Sequence, residues 1–217
     1  MRLTILLGVV VCALAVMPTR AQSVPEVNLP PSPPGQAAIQ VGGAWSTGAD
    51  GASRYSGGRW VVVDYSRPLL RGRTNIFGSG AEYGMAVRDG APVWRAGANA
   101  TTTLTTQVPL MVGGTRLAPG VYNVVVDLAP GAWTLILGNQ PRQPKYDPND
   151  RVNLYGSINY DPKFELARIG MSVREGGVLE HPLEQFTIGF TKASERQLHL
   201  VMAWDRTIAV APIEVVD

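Results

Sequence analysis

The feature that most constrains the fold of this chain is a series of short runs in which apolar and polar residues alternate. In residues 185–191, Phe186, Ile188 and Phe190 occupy every second position. Period-2 alternation sends one set of side chains to a core face and the other toward water, as antiparallel sheets require. Similar short runs, alternating or continuously apolar, occupy residues 60–65, 104–110, 121–128, 133–137, 197–204 and 208–216.

Turn-forming residues separate these runs. The chain has 24 glycines and 17 prolines among 217 residues, about a fifth of the total against an average near 12%. Pro130-Gly131 predicts a hairpin between two of the runs, whereas residues 139–160 lack alternation and predict a long loop with a helical turn. The pattern therefore predicts an all-β fold, an antiparallel β-sandwich of jelly-roll-like type with little helix, and excludes a helix bundle.

The N-terminus has the pattern of an export signal. Residues 3–17 are almost continuously apolar and small residues precede the cleavage point, so we expect a signal peptide at residues 1–21, cleaved after Ala21. The run is too short for a stable membrane span, and the mature protein is expected in the periplasm or outside the cell. Residues 22–37 hold five prolines and predict a disordered linker; residues 38–217 then form a single β-sandwich domain.

Removal of the signal limits the chemistry that remains. Arg2, Arg20 and Cys12 leave with it, and Lys plus Arg then equal the 17 Asp plus Glu. A neutral chain does not favour nucleic-acid binding, and a chain without cysteine has neither a disulfide nor a thiolate nucleophile. His181 and His199 do not have metal-site spacing, and no nucleophile elbow is present. We therefore expect no cofactor, no metal and no recognisable catalytic residue.

Two polar segments stand out against this background. The YSRP/RGR segment, residues 65–73, carries three arginines, and the WRAGAN segment, residues 94–99, places Trp, Arg and Asn among small residues. Converging guanidinium groups bind carboxylate or phosphate in a bidentate manner. In the alternative interpretation Arg67 pairs with an internal acid such as Asp64 and Asn99 is a turn residue. The candidate ligand-binding residues are Tyr65, Ser66, Arg67, Arg71, Arg73, Trp94, Arg95, Asn99 and Thr101.

The order of these motifs resembles the domain-of-unknown-function 2911 family of exported bacterial proteins. The resemblance continues beyond the two segments and covers about residues 38–217. It implies an exported β-rich domain and supplies no activity, substrate or cofactor. The further matching positions are Phe77-Gly78, Thr101-Thr102, Gly113-Gly114, Leu117 to Tyr122, Trp133 to Ile136, Tyr146-Asp147, Asp150, Met202 to Asp205 and Val210 to Pro212.

Three functions are compatible with the sequence. The first is non-catalytic binding of a small anionic ligand, a glycan or a protein partner in a pocket formed by the two segments. The second is a hydrolase or lyase of unrecognised type, using Tyr65, Asp64 or another carboxylate with Arg95 stabilising an anion. The third is a structural or interaction module in which both segments only lock the fold. The placement of the two arginine-bearing segments in space discriminates between them.

Overall fold

The computed structural model describes residues 26–177 and 179–217, so the expected signal peptide lies outside the described residues. Within that part the chain forms β1 (Pro34–Val41), β2 (Ala44–Thr47), β3 (Ser53–Ser56), β4 (Arg59–Ser66), α1 (Met85–Arg88), β5 (Thr102–Thr106), β6 (Leu110–Val112), β7 (Thr115–Leu117), β8 (Gly120–Asp127), β9 (Thr134–Gly138), β10 (Glu165–Gly170), β11 (Ser172–Glu175), β12 (Leu183–Lys192), β13 (Gln197–Asp205) and β14 (Thr207–Val215), with short 3-10 helices at Gly80–Glu82 and Pro162–Phe164.

The strands form two main antiparallel sheets. Sheet I has the order β1-β4-β5-β8-β9-β10, and sheet II has the order β12-β13-β14-β6-β7. The first half of β14 also pairs with β11, and the small pair β2-β3 forms a separate ribbon. The prediction of an all-β antiparallel sandwich with little helix is confirmed.

The core lies between the two sheets, where the alternating runs predicted it. On β4, Val61 and Val63 are fully buried, and on β13, Leu198 and Leu200 are fully buried. Large aromatic side chains fill one end of this core with edge-to-face contacts. These residues are Phe77, Trp94, Trp133, Phe186 and Trp204.

The long loop between β9 and β10 covers part of the outer face of sheet I. Tyr160 packs on Val93, Val125 and Ile136, which explains why successive residues of β8 are buried on both faces of the sheet. The side-chain amide of Gln140 donates to the carbonyl oxygens of the loop itself, at residues 152 and 159. The loop is therefore held by hydrogen bonds across its own width rather than by regular secondary structure.

The first strand begins within the segment for which the sequence predicted no ordered structure. Residues 34–37 pair with residues 63–66 of β4, and the carbonyl of Pro33 accepts from the N–H of Arg67. Proline at 34 is compatible with this position because it begins an edge strand. Among the described residues no helix has the length and apolar character needed to cross a membrane.

Candidate functional site

The first half of the YSRP/RGR segment joins the two sheets. The Tyr65 hydroxyl accepts from the backbone N–H of Ile188 at 2.9 Å and donates to its carbonyl at 3.3 Å. The Arg67 guanidinium donates to the carbonyl of Phe186 and to the hydroxyl of Thr187. Both side chains come from the end of β4 and both bind β12, so they fasten sheet I to one edge of sheet II.

The remainder of that segment runs beside β12. Phe186 donates its N–H to the carbonyl of Pro68, and Leu70 donates to the carbonyl of Glu184. Arg71 is exposed; its backbone N–H binds the Glu184 carboxylate at 2.8 Å and its guanidinium donates to the carbonyl of Pro31. Arg71 therefore helps to hold the N-terminal segment against the domain.

The WRAGAN segment lies directly on the YSRP/RGR segment. A Cβ atom on Gly97 would lie 2.8 Å from the carbonyl oxygen of Ser66, so no larger residue fits between the two backbones. The Thr102 hydroxyl donates to the carbonyl of Ala96 and closes the turn from inside. Asn99 has a φ of 57°, a left-handed conformation that asparagine tolerates. The sequence hypothesis that the two segments meet in space therefore agrees with this geometry.

The meeting point forms an open cleft of about 320 Å³, which we call the arginine cleft. Trp94 and Trp204 lie at its base, with nearly parallel rings whose centroids are 6.5 Å apart. Both indoles are almost completely buried. Polar groups stand on the walls and the rim. These are Arg73, Asp89, Arg95 and Asn99.

Arg73 enters the arginine cleft with part of its guanidinium free. Its Nε donates to the carbonyl of Leu70 at 2.9 Å and its Nη2 donates to that of Leu69 at 2.7 Å. The guanidinium carbon lies 5.8 Å from the centre of the Trp204 ring, within the range of a cation–π contact. Its Nη1 has no hydrogen-bond partner in the described chain, and no carboxylate of that part lies within ion-pair distance.

Arg95 is held loosely at its charged end. Its side chain is 14% exposed, and its contacts with the carboxylate of Asp89 and the carbonyl of Asn99 are both 3.5 Å long. The stem and Nη1 both lie against Gly156 of the long loop, where an added Cβ would be 3.0 Å from Arg95 Cδ and from Arg95 Nη1. The stem is thus positioned while the guanidinium keeps donor capacity toward the cleft.

The structure therefore divides the nine candidate residues. Four of them line the arginine cleft, namely Arg73, Trp94, Arg95 and Asn99. The other five do not. Tyr65 and Arg67 bind β12, and the carbonyl oxygen of Ser66 lies against Gly97. Arg71 holds the N-terminal segment, and Thr101 donates to the carbonyl of Gly156. The suggested partner of Arg67 is also different, since Asp64 accepts instead from Gln36.

A second cleft contains polar residues that sequence reasoning did not select. It has a volume of about 390 Å³, is lined by Asp205, Glu175, Thr74 and Asn75, among others, and is called the acidic cleft here. One sequence feature could have pointed to this cleft. Asp205 directly follows the buried run that ends at Trp204, and a polar residue in that position lies at the edge of a sheet. Glu175 lies at the end of β11, a strand that residues 172–175 do not reveal by alternation.

A chain of hydrogen bonds connects the core to the acidic cleft. Trp133 Nε1 donates to the Tyr83 hydroxyl at 2.7 Å, and Tyr83 donates to Glu175 Oε1. Burial of the phenol, followed by its hydrogen bond to Glu175, raises the pKa of Tyr83 above its usual range. Tyr83 is therefore a hydrogen-bond donor at neutral pH and fixes the orientation of the Glu175 carboxylate.

The sequence of this chain matches the model of one protein family. The family model described as "Protein of unknown function (DUF2911)" matches residues 49–213, more than half of the chain. The chain belongs to the DUF2911 family. No curated protein and no solved structure matches it. The matched range of the DUF2911 model includes both polar segments, all the lining residues of the acidic cleft and those of the arginine cleft except Ser32. Among the described residues, no group of three or more His, Cys, Asp or Glu side chains is placed to hold a metal ion.

Proposed function

We propose that this DUF2911 protein is a non-catalytic binding protein whose arginine cleft takes a small anionic ligand, a carboxylate or phosphate, either free or carried by a glycan. The observation that carries the proposal is the convergence of Arg73 and Arg95 from separate segments on one open cleft. Two guanidinium groups face one carboxylate, that of Asp89, whose side chain is 83% exposed. The cleft therefore has a net positive charge.

The chemistry of the walls suits recognition of an anion. Arg73 and Arg95 can supply charge-assisted hydrogen bonds, and the Asn99 amide makes no hydrogen bond within the described residues, which leaves it available to a ligand. The indoles close the base of the cleft while its mouth is open to solvent, so the charge-assisted hydrogen bonds carry the recognition. A ligand with an anionic group and a compact ring or chain fits a volume of about 320 Å³.

The alternative of a hydrolase or lyase gains no support from the arginine cleft. Of the residues suggested for that chemistry, Arg95 lines the cleft, whereas Tyr65 and Asp64 lie outside the lining and Tyr65 is engaged with the backbone of β12. The carboxylate of the lining, that of Asp89, is largely exposed and forms an ion pair with Arg95. The alternative of a structural role fits Tyr65 and Arg67, which bind β12 and lie outside the lining of the arginine cleft. We therefore assign locking of the fold to the first half of the YSRP/RGR segment and binding to Arg73 and the WRAGAN segment.

We place this binding outside the cytoplasm, after cleavage following Ala21. The support is the apolar run at residues 3–17 and the small residues before the cleavage point. The N-terminal residue of protein recovered from the producing cells tests the proposal: Gln22 is expected, and retention of Met1 would contradict export by cleavage.

The binding proposal is tested by thermal unfolding with a matched pair of sugars, glucuronate and glucose, which differ by one carboxylate. We expect glucuronate, and inorganic phosphate in a parallel series, to raise the melting temperature, and glucose to leave it unchanged. The shift should shrink in 0.5 M NaCl because salt screens charge interactions. Removal of one opposing charge with Asp89→Asn should strengthen anion binding.

Two variants and one control assign the effect to the arginine cleft. Arg95→Gln and Asn99→Gly should reduce the shift; glycine at 99 keeps the left-handed backbone while it removes the amide. Arg174→Gln, an exposed arginine of β11 with no ion-pair partner in the described chain, should leave the shift unchanged. An unchanged shift in Arg95→Gln, or no shift with any anion, would refute the proposal. A large loss of stability in Arg95→Gln alone would favour the structural role.

A further inference from the structure

Asp205 is a buried carboxylate with no cationic partner in the part of the chain that the structure describes. It lies in the left-handed turn between β13 and β14, with a φ of 54° and 7% exposure. Its Oδ2 accepts from the N–H of Ile76 at 3.2 Å, whereas Oδ1 has no hydrogen-bond partner among the described residues. Oδ1 is not enclosed by the protein, so a cation can reach it and compensate the charge of this largely buried carboxylate. Asp205 lines the acidic cleft, so a compensating charge can enter from there.

Glu175 adds a second carboxylate to the same cleft, already oriented. Its Oε1 is held by the Tyr83 hydroxyl, which is itself held by Trp133. In the described residues no Lys, Arg or His lies within ion-pair distance of Glu175. Orientation of a binding group before the ligand arrives lowers the entropy cost of association.

The neighbouring cation, Arg206, offsets one of these two negative charges. Arg206 lines the acidic cleft, but its Nη1 donates to the carbonyl oxygens of Leu179 and Glu180. Glu175 and Asp205 together outnumber it, and the acidic cleft has a net negative charge. Phe77 and Pro182 add apolar surface to the lining, while Thr74, Asn75 and Thr207 add hydroxyl and amide groups.

We propose that the acidic cleft is a binding site for an alkylammonium group, whose N–H donors reach Asp205 and Glu175 while its carbon chain lies against the apolar wall. An ammonium has three donors and one charge, which suits two carboxylate oxygens and a nearby hydroxyl. A hard divalent cation such as Ca²⁺ binds through oxygen ligands alone and gains nothing from the apolar wall of Phe77 and Pro182, and the described residues hold no group of three or more His, Cys, Asp or Glu side chains for it. The same ammonium chemistry is carried by a free amine and by a lysine side chain.

The experiment is an NMR titration of the full mature chain with n-pentylammonium chloride, followed through the backbone amides of Ile76 and Gly176. We expect saturable shifts at these amides and none with 1-pentanol, the neutral isostere. Comparison of free n-pentylamine with a blocked Ala-Lys-Ala peptide shows whether the site accepts the ammonium group of a free amine or that of a lysine side chain. Binding of either supports the site. Three results would overturn the proposal: equal amide shifts with 1-pentanol, saturable amide shifts with CaCl₂ but not with the ammonium, or no shift with any of these compounds.

Isosteric variants test the two carboxylates. Asp205→Asn and Glu175→Gln keep an oxygen that accepts from Ile76 and Tyr83, so the fold should survive, and each should weaken ammonium binding at least tenfold. Glu82→Gln, an exposed acid outside the acidic cleft, is the control and should leave binding unchanged. Arg95→Gln should also leave it unchanged, which separates this site from the arginine cleft. Full binding in both carboxylate variants would refute the assignment.

Discussion

The guanidinium groups of Arg67 and Arg73 differ in their surroundings rather than in their chemistry. Arg67 donates to Phe186 and Thr187, which lie about 120 residues further along the chain, and is outside the arginine cleft. Arg73 donates to carbonyls three and four residues before it and lines that cleft. The sequence shows two arginines in one short segment. The distinction between a structural and a binding guanidinium depends on a distant strand and cannot be obtained from the segment itself.

At the residue scale the structural role of Tyr65 has a direct test. Tyr65→Phe removes the hydroxyl that accepts from the N–H of Ile188 and leaves a buried donor unsatisfied, so we expect a loss of about 1–3 kcal/mol in the free energy of unfolding. Urea titration measures it. Tyr146→Phe, on a half-exposed ring, is the control and should change stability little. Equal stability of the two variants would show that the Tyr65 hydroxyl does not hold β12.

At the scale of elements, the strands with strong alternation were predictable and the short connecting strands were not. The runs at 60–65, 185–191 and 197–204 became β4, β12 and β13 because one face of each strand is buried. β11 and the β2-β3 ribbon have mostly exposed side chains, so burial left no pattern in their sequence. Their existence follows from pairing with another strand, which is a property of the fold.

The tight turn between β6 and β7 contacts the other sheet and gives an element-scale prediction. Gly113 has a φ of 55°, and an added Cβ would overlap the carbonyl of Arg168 on β10. Gly114 has a φ of 83° with open space around it, which makes it a matched control. We expect Gly114→Ala to cost about 1–2 kcal/mol through backbone strain alone, and Gly113→Ala to cost at least about 2 kcal/mol more.

Chemical denaturation of the two glycine variants separates the backbone strain in the β6-β7 turn from the contact of that turn with β10. If both lose the same stability, the β6-β7 turn does not pack on β10 in solution. A larger loss in Gly113→Ala supports close contact between sheet II and the last strand of sheet I at this edge.

At the scale of the whole molecule, both clefts lie where segments distant in sequence meet. Arg73 and Trp204 line the arginine cleft, and the residues that follow them, Thr74 and Asp205, line the acidic cleft. Arg73, Arg95 and Asn99 could be predicted from the sequence because unusual polar residues are visible locally. Glu175 and Asp205 could not, because single acids are common and only the folded chain shows that they share a cleft.

The start of the folded domain gives the last prediction. Sequence composition placed the beginning of the domain at residue 38, whereas Pro34–Val41 pairs with β4 and the carbonyls of Pro31 and Pro33 accept from arginines. A chain that starts at Ala38 loses half of β1 and uncovers the end of β4. At about 0.5–1.5 kcal/mol for each net hydrogen bond, it should be about 2–4 kcal/mol less stable than a chain that starts at Gln22. A chain that starts at Leu29 keeps these contacts and should match the Gln22 chain in urea titration. Equal stability of all three chains would place the boundary at residue 38, because residues 29–37 would then add nothing to the fold.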